Sequence, residues 1–151
     1  MVPLKIVKTV FTTPTPFYST PASAGFDISA IEESIIFPYS QKPEVTMVRT
    51  GLTVAFPEGF ELQIRQRSGL SLKYPNYLAN AIGTIDADYR GEIFIPVVNW
   101  TKDAWCILPG DRIVQGIVSP IVQVDHQDVT TRLKKLPATV RGTGGFGSTG
   151  R

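Results

Sequence analysis

One cysteine and one histidine are all that 151 residues contain, and that scarcity narrows the chemistry. Cys106 has no partner for an internal disulfide, which suits a reducing compartment. A structural zinc site needs about four nitrogen or sulfur ligands, and two such side chains cannot supply them. Histidine-based nucleophilic catalysis would have to use His126, which follows the apolar run 121–124 and is expected to be structural. Catalysis must therefore rest on carboxylates, with a metal held by the substrate. Charge of one sign is also scarce: the formal surplus is +2. A dedicated nucleic-acid binder carries a stronger basic patch, so direct nucleic-acid binding is not expected. The densest basic stretch, Arg132, Lys134, Lys135 and Arg141, reads as a solvated face. No apolar run approaches the roughly 20 residues of a membrane span. Met1-Val2-Pro3-Leu4-Lys5 lacks the apolar core of a signal peptide, so the expectation is a cytoplasmic chain with no membrane partner.

What is abundant is punctuation and a period of two. Twelve prolines and thirteen glycines break up runs in which apolar and polar residues alternate. Residues 60–66, Phe-Glu-Leu-Gln-Ile-Arg-Gln, read as a strand with one buried face. Further strands are predicted at 45–49, 52–56, 92–98 and 112–118. The 52–56 strand leads through Pro57-Glu58-Gly59 into 60–66, which reads as a hairpin, and Pro96 marks an edge or bulge. A short helix is predicted over 68–74, between two strands. Many short strands with turns between them predict an all-β antiparallel sandwich or jelly roll in one domain. The domain spans 1–140, and a glycine-rich arm, 141–151, should be mobile without a ligand.

Five segments could carry chemistry. Asn80-Ala81-Ile82-Gly83-Thr84-Ile85-Asp86-Ala87-Asp88-Tyr89-Arg90-Gly91-Glu92 reads as two strand ends joined by a hairpin-like bend with two carboxylates at its tip. A plain surface turn would explain the same residues. In the tail, Arg141, Ser148 and Thr149 among glycines suit phosphate oxygens, and Phe146 suits stacking on a flat ligand. A disordered terminus explains it equally. Arg67-Ser68-Gly69-Leu70, at a strand-to-helix junction, is either an anion site or an ordinary cap. In Gly110-Asp111-Arg112-Ile113-Val114-Gln115, Arg112 and Gln115 lie an odd number apart, which predicts opposite faces of the sheet. In Ala24-Gly25-Phe26-Asp27-Ile28-Ser29-Ala30, Asp27 is expected opposite Phe26 and Ile28.

Taken together and in order, these five segments resemble the five motifs of the trimeric dUTPase family, from about residue 24 to the end. Gln66, where a proline is common, and Thr84, where a larger apolar residue is frequent, depart from the pattern without removing a catalytic group. The resemblance implies a β jelly roll assembled as a homotrimer with active sites shared between subunits. It implies hydrolysis of dUTP to dUMP and pyrophosphate, limiting uracil in DNA and supplying dUMP for thymidylate synthesis. Asp86 would be the base that activates the water attacking the α-phosphorus, rather than Asp88. Arg67, Ser68 and Gly69 would contact phosphates; Asn80, Gly83, Thr84 and Ile85 would read the uracil. Tyr89 would pack on the deoxyribose and exclude a 2′-hydroxyl. Arg141, Phe146, Gly147, Ser148 and Thr149 would close as a lid. Mg²⁺ would be held mainly by the triphosphate, with Asp27 an outer-shell contact through water and Gln115 a further contact to metal-bound water or phosphate.

Two rivals remain at this point. A dCTP deaminase of the same superfamily would need a glutamate where Pro96 stands. A non-catalytic jelly-roll module is excluded by nothing in the fold itself.

Overall fold

Alternation in residues 60–66 builds an interior strand. The computed structural model describes residues 1–73, 77–128, 130–132 and 135–144. In chain order the elements begin with β1 (Lys5–Lys8), β2 (Phe26–Ser29), β3 (Ser34–Ile36), β4 (Thr46–Arg49) and β5 (Leu52–Ala55). Next come β6 (Phe60–Gln66), the helix α1 (Ser68–Lys73), β7 (Tyr77–Leu78) and β8 (Gly83–Ile85). The last strands are β9 (Phe94–Val98), β10 (Trp105–Ile107) and β11 (Arg112–Pro120). The predicted strands and helix are all present; the last predicted helical residue, Tyr74, lies outside the described residues.

The largest sheet runs β2-β11-β6-β8, with a second of order β4-β9-β7 and two pairs, β1-β5 and β10-β3. Every named strand pairing is antiparallel. Leu62 and Ile64 turn inward from β6 while Glu61, Gln63 and Arg65 stand on its other face. Their inner faces join Ile28, Val114, Val48, Ile95, Ile36 and Ile107 in one core. Each fully buried Ile or Leu contributes about 1.5–3 kcal/mol by leaving water. This is the predicted all-β jelly roll with one short helix.

Three local expectations change. The 52–56 and 60–66 strands do not form a hairpin: β5 pairs with β1, and β6 pairs with β11 and β8. Gly59, at φ +83°, turns the chain at a corner, and its carbonyl accepts the Ile121 N–H at 2.9 Å. The bend after β8 is not a hairpin either, because β8 pairs with β6 while β9 pairs with β4 and β7. Both turns carry the chain between sheets, a step that alternation alone cannot reveal.

Pro96, in turn, lies in the middle strand of its sheet, opposite Met47. Its carbonyl accepts the Ala79 N–H at 2.9 Å on the β7 side. A strand residue's N and O point the same way, so the missing donor faces that side too, past the end of a two-residue ladder. The expected edge or bulge is therefore not found: β9 is a middle strand in continuous register with β4, and the proline is tolerated because β7 is short. The run 121–124 does not enter the core of the chain: Val122 and Val124 are exposed, and so is His126.

Candidate active site

Asp27 sits on β2 between the buried Phe26 and Ile28, so its carboxylate leaves the core on the opposite face, as the sequence predicts. There both of its oxygens are taken. Arg67 Nε lies 2.8 Å from Oδ1 and Arg112 Nη1 lies 3.1 Å from Oδ2. Arg67 Nη1 also donates to the Arg112 carbonyl at 2.9 Å, which fixes its guanidinium in two directions. Two guanidinium groups against one carboxylate leave a positive surplus. It borders a cleft of about 300 Å³ lined by Gly25, Asp27, Arg67, Ser68, Gly69 and Gln115, among others. A Cβ on Gly25 would stand 2.7 Å from Gln115 Oε1, so glycine is what lets that amide reach the cleft. Forked cationic donors beside hydroxyl and amide groups suit an anion with several oxygens.

Arg112 and Gln115 share this face, contrary to the parity expectation. Arg112 pairs with Ser29 and Gln115 with Asp27, because the register shifts between Arg112 and Val114. That bulge inserts one residue, Ile113, which turns into the core beside Val114. One extra residue reverses the parity and brings Arg112 round to Asp27.

The second group of predicted residues follows β8. The Tyr89 N–H bonds the Asp86 carbonyl at 3.1 Å, closing a turn, and Arg90 Nη1 donates to the carbonyls of Ala87 (2.7 Å) and Tyr89 (2.8 Å). Asp86, Asp88 and Arg90 border a cleft of about 830 Å³ with Phe56, Glu58 and Phe60. Both aspartates reach it. Tyr89 folds back over Gly91, where any Cβ would collide with the phenol, and its hydroxyl donates to the Glu92 carbonyl at 3.0 Å. Asn80, Gly83, Thr84 and Ile85 lie on β8 and the turn before it. In that turn Ala81 takes a left-handed conformation, φ 60°.

An ion pair that sequence reading missed anchors this turn. Glu92 accepts from Arg49 Nε (3.1 Å), Arg49 Nη2 (2.9 Å) and the Gly51 N–H (3.0 Å). The bond from Arg49 holds the Glu92 carboxyl below the usual carboxylate range against the opposing effect of burial, and the Gly51 N–H adds to it. An arginine at a half-buried strand position was the available signal.

The two clefts are far apart in one chain. Asp27 is on β2 and Asp86 follows β8, the opposite edges of the β2-β11-β6-β8 sheet. Three strand spacings, with an offset of about four residues along the strands, place them on the order of 20 Å apart. Arg141 lies in an exposed segment, donating to the Gly144 carbonyl at 2.9 Å, and borders neither cleft. Phe146, Gly147, Ser148 and Thr149 lie outside the described residues.

The described residues of one chain do not by themselves build an Mg²⁺ site. Among the described residues no three His, Cys, Asp or Glu side chains gather, and both oxygens of Asp27 are in ion pairs. No described helix is long and apolar enough to cross a membrane.

Comparison with known proteins agrees along nearly the whole chain. The dUTPase family model matches residues 12–150. A deoxyuridine 5'-triphosphate nucleotidohydrolase of Finegoldia magna is 46% identical over 138 residues, covering 91% of this chain and 92% of the relative. That of Fusobacterium nucleatum is 44% identical over 137 residues, covering 90% and 89%. Among solved structures, the Streptococcus mutans dUTPase superposes with a TM-score of 0.72 at 26% identity, covering 82% of this chain and 98% of that one. A dUTPase of Staphylococcus bacteriophage 80alpha, solved with dUpNHpp, gives 0.81 at 22% identity and 99% of both chains. The fold, the ordered motifs and these matches together make the chain a member of the dUTPase family.

Proposed function

We propose that this protein hydrolyses dUTP to dUMP and pyrophosphate. The observation that carries the reading is the pair of clefts at opposite ends of the β2-β11-β6-β8 sheet: a cationic one where Arg67 and Arg112 meet Asp27, and an acidic one at Asp86. Neither suffices alone. The relatives named as dUTP nucleotidohydrolases supply the substrate.

The triphosphate lies against Arg67, Ser68, Gly69 and Gln115, where the guanidinium is already aimed by Asp27 and needs little reorganisation on binding. Asp86 accepts a proton from water as that water attacks the α-phosphorus in line. The bond from the α-phosphorus to its bridging oxygen breaks, pyrophosphate leaves, and dUMP keeps the new oxygen. Asn80 and the backbone of Gly83, Thr84 and Ile85 read the uracil edge, and Tyr89 packs on the sugar. Arg141, Phe146, Gly147, Ser148 and Thr149 close over the nucleotide and exclude bulk water.

Arg67 and Asp86 stand six residues apart in the β6–β8 register, on the order of 20 Å, which calls for a second copy to bring its Asp86 turn to the first copy's Arg67 cleft. A closed cyclic assembly satisfies every copy equally, and the resemblance to the trimeric dUTPase family makes that assembly a homotrimer. Mg²⁺ held by the triphosphate would neutralise phosphate oxygens; Asp27, occupied by two arginines, acts on the phosphates through Arg67. A structural Mg(II) ion is named for the dUTPase of Staphylococcus aureus phage phi11, a fold neighbour.

Pyrophosphate release measured with dUTP, UTP, dTTP and dCTP, with and without Mg²⁺, tests the reading. Strong selectivity for dUTP is expected. Comparable turnover of UTP or dTTP, or ammonia release from dCTP, would sink it.

A further inference from the structure

We infer that Arg49 and Glu92 are positioning residues that set the enzyme's selectivity for the deoxyribose, by clamping the turn that carries Tyr89. This deepens the functional reading above and rests on it. The turn leaves β8 at Ile85, presents Asp86 and Tyr89, and rejoins the body at Glu92. Its own hydrogen bonds are local, joining Tyr89 to Asp86 and Arg90 to the carbonyls of Ala87 and Tyr89. Local bonds shape a turn without fixing where it points.

The fixing comes from Glu92. Its side chain is 12% exposed and receives both Arg49 nitrogens and the Gly51 N–H. The next residue is tied to the same strip of chain: Thr50 Oγ1 donates to the Ile93 carbonyl at 2.6 Å, and the Ile93 N–H reaches the Leu52 carbonyl at 2.8 Å. Glu92 is thus a rigid post on the β4–β5 corner. The Tyr89 hydroxyl rests on that post's own carbonyl, at 3.0 Å. Gly91 removes the side chain that would push the ring away.

A bidentate arginine–carboxylate pair fixes direction as well as distance. A phenol that excludes a 2′-hydroxyl must be held to a fraction of an ångström, since a loosened ring yields to the extra oxygen. Arg49 also meets Glu32 at 3.3 Å through Nη1, which leaves Nε and Nη2 to Glu92.

The experiment compares kcat/KM for dUTP and UTP in the full-length wild type, Arg49→Gln, Arg49→Lys, Glu92→Gln, Tyr89→Phe and the Arg49→Gln/Tyr89→Phe double variant, with thermal melts on each. Arg49→Gln and Glu92→Gln are expected to lower the dUTP-over-UTP ratio by about tenfold while melting above the assay temperature. Arg49→Lys, which keeps the charge but loses the fork, should recover part of the ratio. The double variant should lose no more selectivity than the worse single one, because both changes act through one turn.

Glu92→Gln removes a charge from a mostly buried network; should it fail to fold, Arg49→Gln, at a side chain 35% exposed, carries the test. A ratio within about twofold of wild type in folded Arg49→Gln, or selectivity losses that multiply in the double variant, would overturn the inference. A wild type that does not hydrolyse dUTP would overturn the functional reading itself, a separate and visible failure.

Discussion

Arg67 and Asp27 meet at 2.8 Å across an intervening strand: one follows β6, the other lies on β2, and β11 runs between them. The contact turns an edge-strand carboxylate into a holder for a guanidinium. That arrangement has a direct consequence for substitution. Lysine keeps the charge but has no fork, so it cannot satisfy Asp27 and the Arg112 carbonyl together. Arg67→Lys is expected to raise KM for dUTP about tenfold with an unchanged circular-dichroism spectrum. An unchanged KM would remove Arg67 from phosphate binding.

The two aspartates of the β8 turn should separate sharply in kinetics. Asp86→Asn should still bind dUTP, followed by calorimetry, while turnover falls about 10²–10⁴-fold. Asp88→Asn should lose far less. Equal losses at both positions would mean that the proton acceptor is not localised on Asp86.

Acid should loosen the β4–β5 corner through Glu92. Its folded-state affinity for a proton is lowered, chiefly by Arg49, so the folded state favours the carboxylate. The stabilisation is present above the ordinary glutamate range, about 4.3, and fades as pH falls below it. Urea midpoints measured from pH 7 to pH 3 should drop less steeply in Glu92→Gln than in wild type. At pH 7 that variant should be less stable by about 1–2 kcal/mol. Parallel slopes would show that other carboxylates govern the acid limb.

Asn99 offers a stability test away from both clefts. It is 1% exposed, and its amide donates to the Ile36 and Asp103 carbonyls while its oxygen accepts from the Thr101 N–H and hydroxyl. Asn99→Ala strands these groups and should lower unfolding free energy by about 2–3 kcal/mol, read from urea denaturation. A change within about 0.5 kcal/mol would mean that water enters and replaces the amide.

Much of this was readable in the chain itself, and the misses share a cause. The two-residue period located β6 with its buried Leu62 and Ile64, and put Asp27 on the face away from the core. The Ser-Gly junction located α1. Periodicity is local, though, and pairing is not. Nothing in Leu52–Ala55 says that its partner is Lys5–Lys8 rather than the next strand. The bulge at Ile113 defeated parity for Arg112 because one inserted residue leaves no mark on composition. Arg49 and Glu92, like Arg67 and Asp27, are charges whose meaning lies in a partner roughly forty positions away, a distance that pattern reading does not bridge.

Arg67 follows β6 and Asp86 follows the neighbouring antiparallel strand β8, so the two leave the sheet at opposite ends, and this also bears on how defects combine. Arg67→Ala and Asp86→Asn chains, each severely impaired alone, should rescue one another when unfolded and refolded as a mixture. A site drawing its cation from one copy and its base from another is intact whenever the damage falls on the unused half. Random association at equal amounts makes roughly a quarter of the sites whole. Two broken alleles of this gene would then be partly complementary in the same cell, and the heritable unit of function would be the assembly rather than the chain.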